Sequence, residues 1–486
     1  MRLPTELYRP SLALLTDLYE LTMACAYWKA GIAEREAVFH LTFRSNPFGG
    51  GFTLACGLQW ALTYLLDLHF EAEDLAYLAD QRGSDGKPLF DPAFLDRLGE
   101  LHMTCDVDAV PEGTVVFPHE PLVRVKGPIL QAQLLETPLL NLIGFPTLVA
   151  TKAARVKLAA RGGAVLEFGL RRAQGIDGGL CASRAAFIGG CDATSNVLAG
   201  RLFDIPVKGT HAHSWVMLFD NETAAFEAYA AALPNNCVFL VDTYDSLQGV
   251  RHAIEVGRQL RRDGQELLGI RLDSGDLAYL SIQARRMLDL AGFDQALIFA
   301  SNNLDERTIS SLKEQGAAID VWGVGTHLVT AFGQPALGVV YKLSAVRGSR
   351  RGWEYKLKLS EEASKISTPG ILQIRRFERE GEYVADMIYD ELLGAGLSLV
   401  DPIDVTRRKG VAADTAFSDL LVPVLRGGKA AYPVPALVEM RERAAEQLSR
   451  LHPGIKRFMN PHRYPAGLEQ RLHDLKMRLV LEAKRG

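Results

Sequence analysis

Between residues 164 and 326 the chain returns six times to a short apolar run, and this recurrence constrains its fold more than any other feature. The runs are "AVLEFGL" (164–170), "IPVKGT" (205–210), "CVFLVDTY" (237–244), "LLGIRLDSGD" (267–276), "ALIFASNN" (296–303) and "AIDVWGVGT" (318–326). Each is short and apolar without alternation, the pattern of a strand covered on both faces. Most are separated by helical stretches such as "SLQGVRHAIEVGRQLRR" and "LAYLSIQARRMLDLAG". Parallel strands joined by helices this many times predict a closed or nearly closed (β/α) barrel. The spacing is uneven and 181–206 fits no regular unit, so the barrel is expected to be irregular.

The ends of the chain read differently. Leu14, Leu15, Leu18 and Leu21 recur at helical spacing with Tyr19 on an adjoining face, predicting a first helix. "AVFHLTFRSNPFGGGF" and the segment from Met103 to Gln133 read as strands broken by Pro and Gly turns, and β pattern returns after residue 341. The organisation predicted is therefore an α/β chain: an irregular TIM-like barrel plus an α+β sandwich-like domain built from both chain ends. The boundaries are 1–130, 131–340 for the barrel, 341–435, and a helical tail over 436–486.

Composition narrows the function classes. A net charge of -4 gives no basic footprint for nucleic acid. No apolar run is long enough to span a membrane, and Asp17 and Glu20 interrupt the apolar start, against a signal peptide. Six scattered cysteines without a C-x-x-C pair suit reduced thiols of a cytoplasmic protein.

In a barrel the reacting groups follow the strand C-termini. There the sequence places Arg171, Arg172 and Gln174; Thr210, His211, His213 and Ser214; Thr243; Asp273, Ser274 and Asp276; Asn302 and Asn303; Thr326 and His327. Arg171 and Arg271 are planar donors suited to phosphate or carboxylate. The turn Gly323 to Thr326 offers backbone N–H groups and a hydroxyl as a phosphate cradle. Asp273 and Asp276 suit a hydrated Mg²⁺ or a ribose diol. Taken singly, these have plainer readings as turns, solvated arginines and helix caps. Their convergence on strand exits predicts a phosphate-handling site. The His211-x-His213 pair, on residues alone, suits a metal, a phosphoryl acceptor or packing.

Eight motifs in order carry a resemblance. "LLTDLYELTMACAYWKAG", "FRSNPFGGGFTLACGL", "LEFGLRRAQGIDGG", "GGCDATSNVLAG", "GTHAHSW", "RLDSGDL", "SNNLDE" and "GVGTHLVT" together resemble nicotinate phosphoribosyltransferase, a type II phosphoribosyltransferase. The resemblance runs from about residue 12 to 360. It implies the coupling of nicotinate, phosphoribosyl pyrophosphate and ATP to nicotinate mononucleotide, pyrophosphate, ADP and phosphate, in NAD biosynthesis. It implies His213 as the phosphorylated histidine, acting with Asp273 and Arg171. Nicotinate binding falls on Tyr19, Thr210 and Arg271, and phosphoribosyl pyrophosphate binding on Arg44, Asn302, Gly325 and Thr326. Mg²⁺ is implied together with pyrophosphate or ATP, with no ion held by protein groups alone. A homodimer with shared active sites is implied, Tyr19 being supplied by the neighbouring subunit.

Three alternatives remain at this point, one of them a catalytically silent binding protein, against which intact Arg171, His213, Arg271 and Asp273 argue. Nicotinamide phosphoribosyltransferase would carry an acid near Ser195-Asn196; neither position is acidic, though Asp192 lies close. A metal-dependent barrel hydrolase would need both His211 and His213 plus further ligands.

Overall fold

A computed structural model describes residues 11–348 and 352–485. Residues 1–10, part of the reading against a signal peptide, lie outside them. The chain divides into two compact units, one over 152–335 and one from the described residues before and after it.

Six parallel strands build the first unit: β1 (Ala164–Glu167), β2 (Ala193–Thr194), β3 (Val238–Leu240), β4 (Gly269–Leu272), β5 (Leu297–Ala300) and β6 (Val321–Val324). Their order is β2-β1-β6-β5-β4-β3, every neighbouring pair parallel. The sheet curls, because one interior cavity is lined by Ala193 of edge strand β2 and Val238 of edge strand β3. The expected irregular barrel thus takes the form of an open, curled sheet, and among the described residues no pairing closes the seam between β2 and β3.

"IPVKGT" was expected to be a strand, and it forms only an isolated bridge, Val207 to Thr194. Pro206 has no N–H to give a ladder, and the segment stops pairing one residue beyond Val207. Conversely, the unplaced stretch 181–206 supplies β2, whose two residues are too short to leave a periodic trace. Side-chain caps start the helices: Asp245 accepts from Gln248 N–H (2.7 Å), Asp276 from Tyr279 N–H (3.0 Å) and Asp305 from Thr308 N–H (2.8 Å). Asp276 is thus committed to a cap.

The second unit is α+β. One sheet runs 353–355, 339–347, 36–43, 123–128, 106–109, 422–426, 429–430, and its strand 36–43 pairs antiparallel with 339–347. Segments from before and after the barrel thus share one sheet, as expected. A second sheet contains Leu372–Arg379 and Glu382–Asp390 as a hairpin. The tail expected to be helical also supplies Ala466–Glu469, a strand parallel to 382–390 inside that sheet. The first helix spans Leu18–Lys29; Leu14 and Leu15 lie in turns ahead of it.

A buried ion pair anchors this second sheet. Arg376 and Asp386, 1% and 0% exposed, bond through Nε at 2.9 Å and Nη2 at 2.5 Å. Tyr464 donates to the same carboxylate at 2.9 Å, and Arg376 donates onward to Gln447 and the Val115 carbonyl. Among the described residues no helix is long and apolar enough to cross a membrane. None of the six cysteines takes part in a disulfide.

Candidate active site

The exits of β3, β4 and β5 hold one connected group of polar side chains. Arg271 sits in β4, mostly buried, with its side chain fixed at three points. Nη1 donates to Thr210 Oγ1 at 2.6 Å, Nε donates to Ser301 Oγ at 3.1 Å, and Nη2 lies 3.8 Å from Asp273 Oδ1. Ser301 in turn donates a short hydrogen bond to that same Asp273 oxygen. Burial, and the like charge of Arg171, push the Arg271 pKa down, while Asp273 and Asp242 oppose the shift. The guanidinium stays charged, since arginine does not deprotonate in proteins. It is a desolvated cation whose carboxylate partner, Asp273, stands off at 3.8 Å.

His213 opens a short helix and is 39% exposed. Its Nδ1 lies 3.2 Å from Thr243 Oγ1 and its Nε2 3.8 Å from Asp273 Oδ2. The ring is thus held on both sides and still accessible, as a phosphoryl acceptor requires.

His211 has the opposite surroundings. It is buried among Phe226, Tyr229 and Phe239, and its Nε2 accepts the Leu240 N–H at 3.2 Å. Leu240 ends edge strand β3, so the imidazole takes a backbone donor left open at the seam. Burial depresses its pKa to about 4, helped by Arg271 and His213. Its carbonyl lies 3.4 Å from Arg271 Nη1. A ring engaged in this way is no metal ligand, and among the described residues no group of three or more His, Cys, Asp or Glu side chains could hold a metal ion. The hydrolase alternative loses its ligand pair.

One prediction follows directly. His211→Ala removes the acceptor and opens a cavity, lowering stability by about 2 kcal/mol, whereas His211→Gln retains an acceptor and loses less. Because the folded pKa lies below the usual 6.5, the neutral ring's contribution is complete above pH 6.5 and is lost as pH falls toward about 4. Thermal melts at pH 7.5 and pH 4.5 should show the wild-type advantage over His211→Ala shrinking at the lower pH.

Asp242, at the exit of β3, was passed over in the sequence in favour of its neighbour Thr243. Its Oδ2 accepts from the Asp273 N–H (2.8 Å) and from Ser274 Oγ (2.6 Å). Its Oδ1 is buried without a hydrogen-bond partner. The strand-exit rule that selected Asp273 selects Asp242 equally. Glu167 and Ser301 were also missed, because each reads as part of its strand.

At the exit of β1, fully buried Glu167 accepts from Ser183 Oγ (2.8 Å), Thr194 Oγ1 (2.6 Å) and the Gly169 N–H. This clamps the turn that carries Arg171. A Cβ on Gly169 would lie 2.2 Å from Val329 Cγ1, so the turn requires glycine. Arg171 is exposed and, among the described residues, has no partner within the chain. Gly325 and Thr326 follow β6 as expected, and Asn302 takes a left-handed φ of 97° after β5.

Tyr19 and Arg44 belong to the other unit and are described there. Tyr19 is 45% exposed on its helix, so it is not a core residue of its unit. Arg44 lines a pocket with His119, Lys342 and Lys365. Asp192 is engaged elsewhere: its Oδ2 holds Lys157 Nζ at 2.7 Å and the Val165 N–H at 2.8 Å. That position is at the strand starts, the opposite end from His213.

Residues 14–144 match the nicotinate phosphoribosyltransferase (NAPRTase) N-terminal domain, 164–372 the NAPRTase family, and 373–476 the NAPRTase C-terminal domain. The nicotinate phosphoribosyltransferase of Bacillus subtilis is 43% identical over 97% of both chains. The chain belongs to the nicotinate phosphoribosyltransferase family. A crystal structure of the human family member superposes with a TM-score of 0.82 at 34% identity, covering 96% of this chain and 99% of that one. A nicotinate-nucleotide pyrophosphorylase from Pyrococcus furiosus shares the fold, at a TM-score of 0.69 and 21% identity over 91% of this chain and 96% of that one. The family match extends past residue 360, where the motifs of the sequence alone had faded.

Proposed function

We propose that this chain transfers the phosphoribosyl group of phosphoribosyl pyrophosphate to the ring nitrogen of nicotinate, with ATP hydrolysis coupled through phosphorylation of His213. The observation that carries the reading is the desolvated Arg271, tied to Thr210 at 2.6 Å and sharing Asp273 with His213. A carboxylate substrate supplies this guanidinium with a closer anion than Asp273 at 3.8 Å, with Thr210 as second partner.

The nicotinate ring nitrogen attacks C1 of the sugar as the C1–O bond breaks, and pyrophosphate leaves with the bonding electron pair. Arg171 is free to meet those departing charges, and the Gly325-Thr326 turn and Asn302 are placed to hold the sugar phosphate. No side chain has to remove a proton. Phosphorylation of His213 forms a bond from an imidazole nitrogen to the γ-phosphorus as the bond to ADP breaks, adding negative charge beside Arg271.

Mg²⁺ fits the site: Asp242 offers a buried oxygen without a partner, adjacent to Asp273. These two carboxylates would hold the ion through water, with phosphate oxygens completing its shell, and when bound it neutralises pyrophosphate charge. Tyr19, exposed on its helix, and Arg44 suit a homodimer in which a second subunit completes each site. A cytoplasmic location belongs to the same reading.

The test is pyrophosphate release from phosphoribosyl pyrophosphate with nicotinate and with nicotinamide, each with and without ATP. The expected result is nicotinate-dependent release that ATP increases, with nicotinamide poorer. No nicotinate-dependent release defeats the reading.

A further inference from the structure

A cavity of the barrel unit, lined by both edge strands of the sheet, opens at the strand starts, and not at the exits where His213 sits. It measures about 770 Å³. Interiors of closed barrels are filled by layers of branched side chains. Here the inward positions at the strand starts are Ala164 of β1 and Ala193 of β2, and Gly209 occupies the seam. Side chains this small leave the space, and Leu166, Phe168 and Phe299 line it further in. Packing voids in proteins rarely exceed a water molecule, whereas ligand pockets span roughly 300–1,000 Å³. Leu268 and Leu297 are 41% and 42% exposed at the mouth, apolar surface that nothing in the unit covers.

The chemistry of the walls selects the occupant. Arg261 pairs with Glu266 at 2.8 Å and Asp192 with Lys157 at 2.7 Å, and the two remaining charged side chains of the lining, Lys208 and Asp294, are of opposite sign. With the lining charges balanced in sign and the inner walls apolar, an anion moving in past Lys208 would exchange water for hydrocarbon. Flat rings against Phe168 and Phe299 gain both area and ring contact. At the far end the cavity reaches Thr210, whose hydroxyl holds Arg271 Nη1.

We infer that the barrel interior binds an uncharged aromatic molecule of about two rings, entering at the strand starts, and that its polar end competes with Arg271 for the Thr210 hydroxyl. The binding stands on the cavity alone. Its effect on nicotinate rests on the proposed assignment of Thr210 and Arg271 to the substrate carboxylate.

Naphthalene-2-carboxamide is a suitable probe, titrated by calorimetry into the full chain, into Leu297→Trp, which plugs the mouth, and into Leu297→Asp, which makes it polar. Melting curves confirm that both variants fold. The expected result is one probe bound per chain in the wild type and at least tenfold weaker binding in both variants, whose probe-free kcat/KM for nicotinate stays within twofold of wild type. Saturating probe should raise the wild-type nicotinate KM at least threefold with kcat within twofold. No binding to the wild type, or equal binding in all three proteins, overturns the site; binding that leaves KM unmoved overturns the link to Thr210. If the probe binds and both variants lose it while the chain turns over no nicotinate, the cavity site stands and the functional reading falls.

Discussion

Replacing Arg271 with glutamine is expected to lower kcat/KM for nicotinate by roughly 10²–10³-fold, the equivalent of about 3–4 kcal/mol for a lost bidentate charge-assisted contact. The same substitution should leave the melting temperature unchanged or slightly raised. The two outcomes differ because the buried guanidinium already bears a desolvation cost, shown by its lowered pKa, and is only partly compensated by Asp273 at 3.8 Å. Glutamine keeps the reach toward Ser301 and Thr210 and sheds the charge. If the group were structural, stability and activity would fall together. Arg271→Lys should recover little, since an ammonium does not present the planar fork. Steady-state kinetics with varied nicotinate, beside a melting curve, separates the cases.

The second large effect concerns stability in the other unit. Asp386→Ala leaves Arg376, 1% exposed, without its carboxylate, and an unpaired buried charge costs about 3–5 kcal/mol. A loss on the order of 10 °C in melting temperature is expected. Asp386→Asn, which can still accept from Tyr464 and Arg376, should lose less. The double change Arg376→Leu with Asp386→Leu should recover much of the loss, because it removes both charges together. Differential scanning calorimetry of the full chain reads all three.

The barrel was legible because strands buried on both faces leave continuous apolar runs, and β1, β3, β4, β5 and β6 fall within the runs singled out. The seam was not. "IPVKGT" has the apolar start of a strand, yet what it does is decided by Pro206 and by a partner edge that ends after two residues. Ala466–Glu469 escaped for a related reason: four residues inside a largely helical stretch carry too little pattern, and the neighbouring strands give it its place. His213, Asp273 and Arg271 were found by their position at strand exits, and the structure joins them through Thr210, Ser301 and Thr243. Glu167 was not singled out, because it acts through a backbone N–H and hydroxyls that only the folded chain brings near, whereas Asp242 stands at a strand exit within reach of the same rule as Asp273. His211 shows the limit most plainly: it lies two residues from His213, for which phosphorylation is proposed, and only the unpaired edge of β3 explains why it is there.

Phosphoryl transfer from ATP to His213 is the step that most directly tests the proposed function. Incubation of the wild type with γ-labelled ATP should give an acid-labile, base-stable label on the protein, absent from His213→Ala and retained in His211→Gln. A wild type that takes up no label, or a label that survives in His213→Ala, would contradict it.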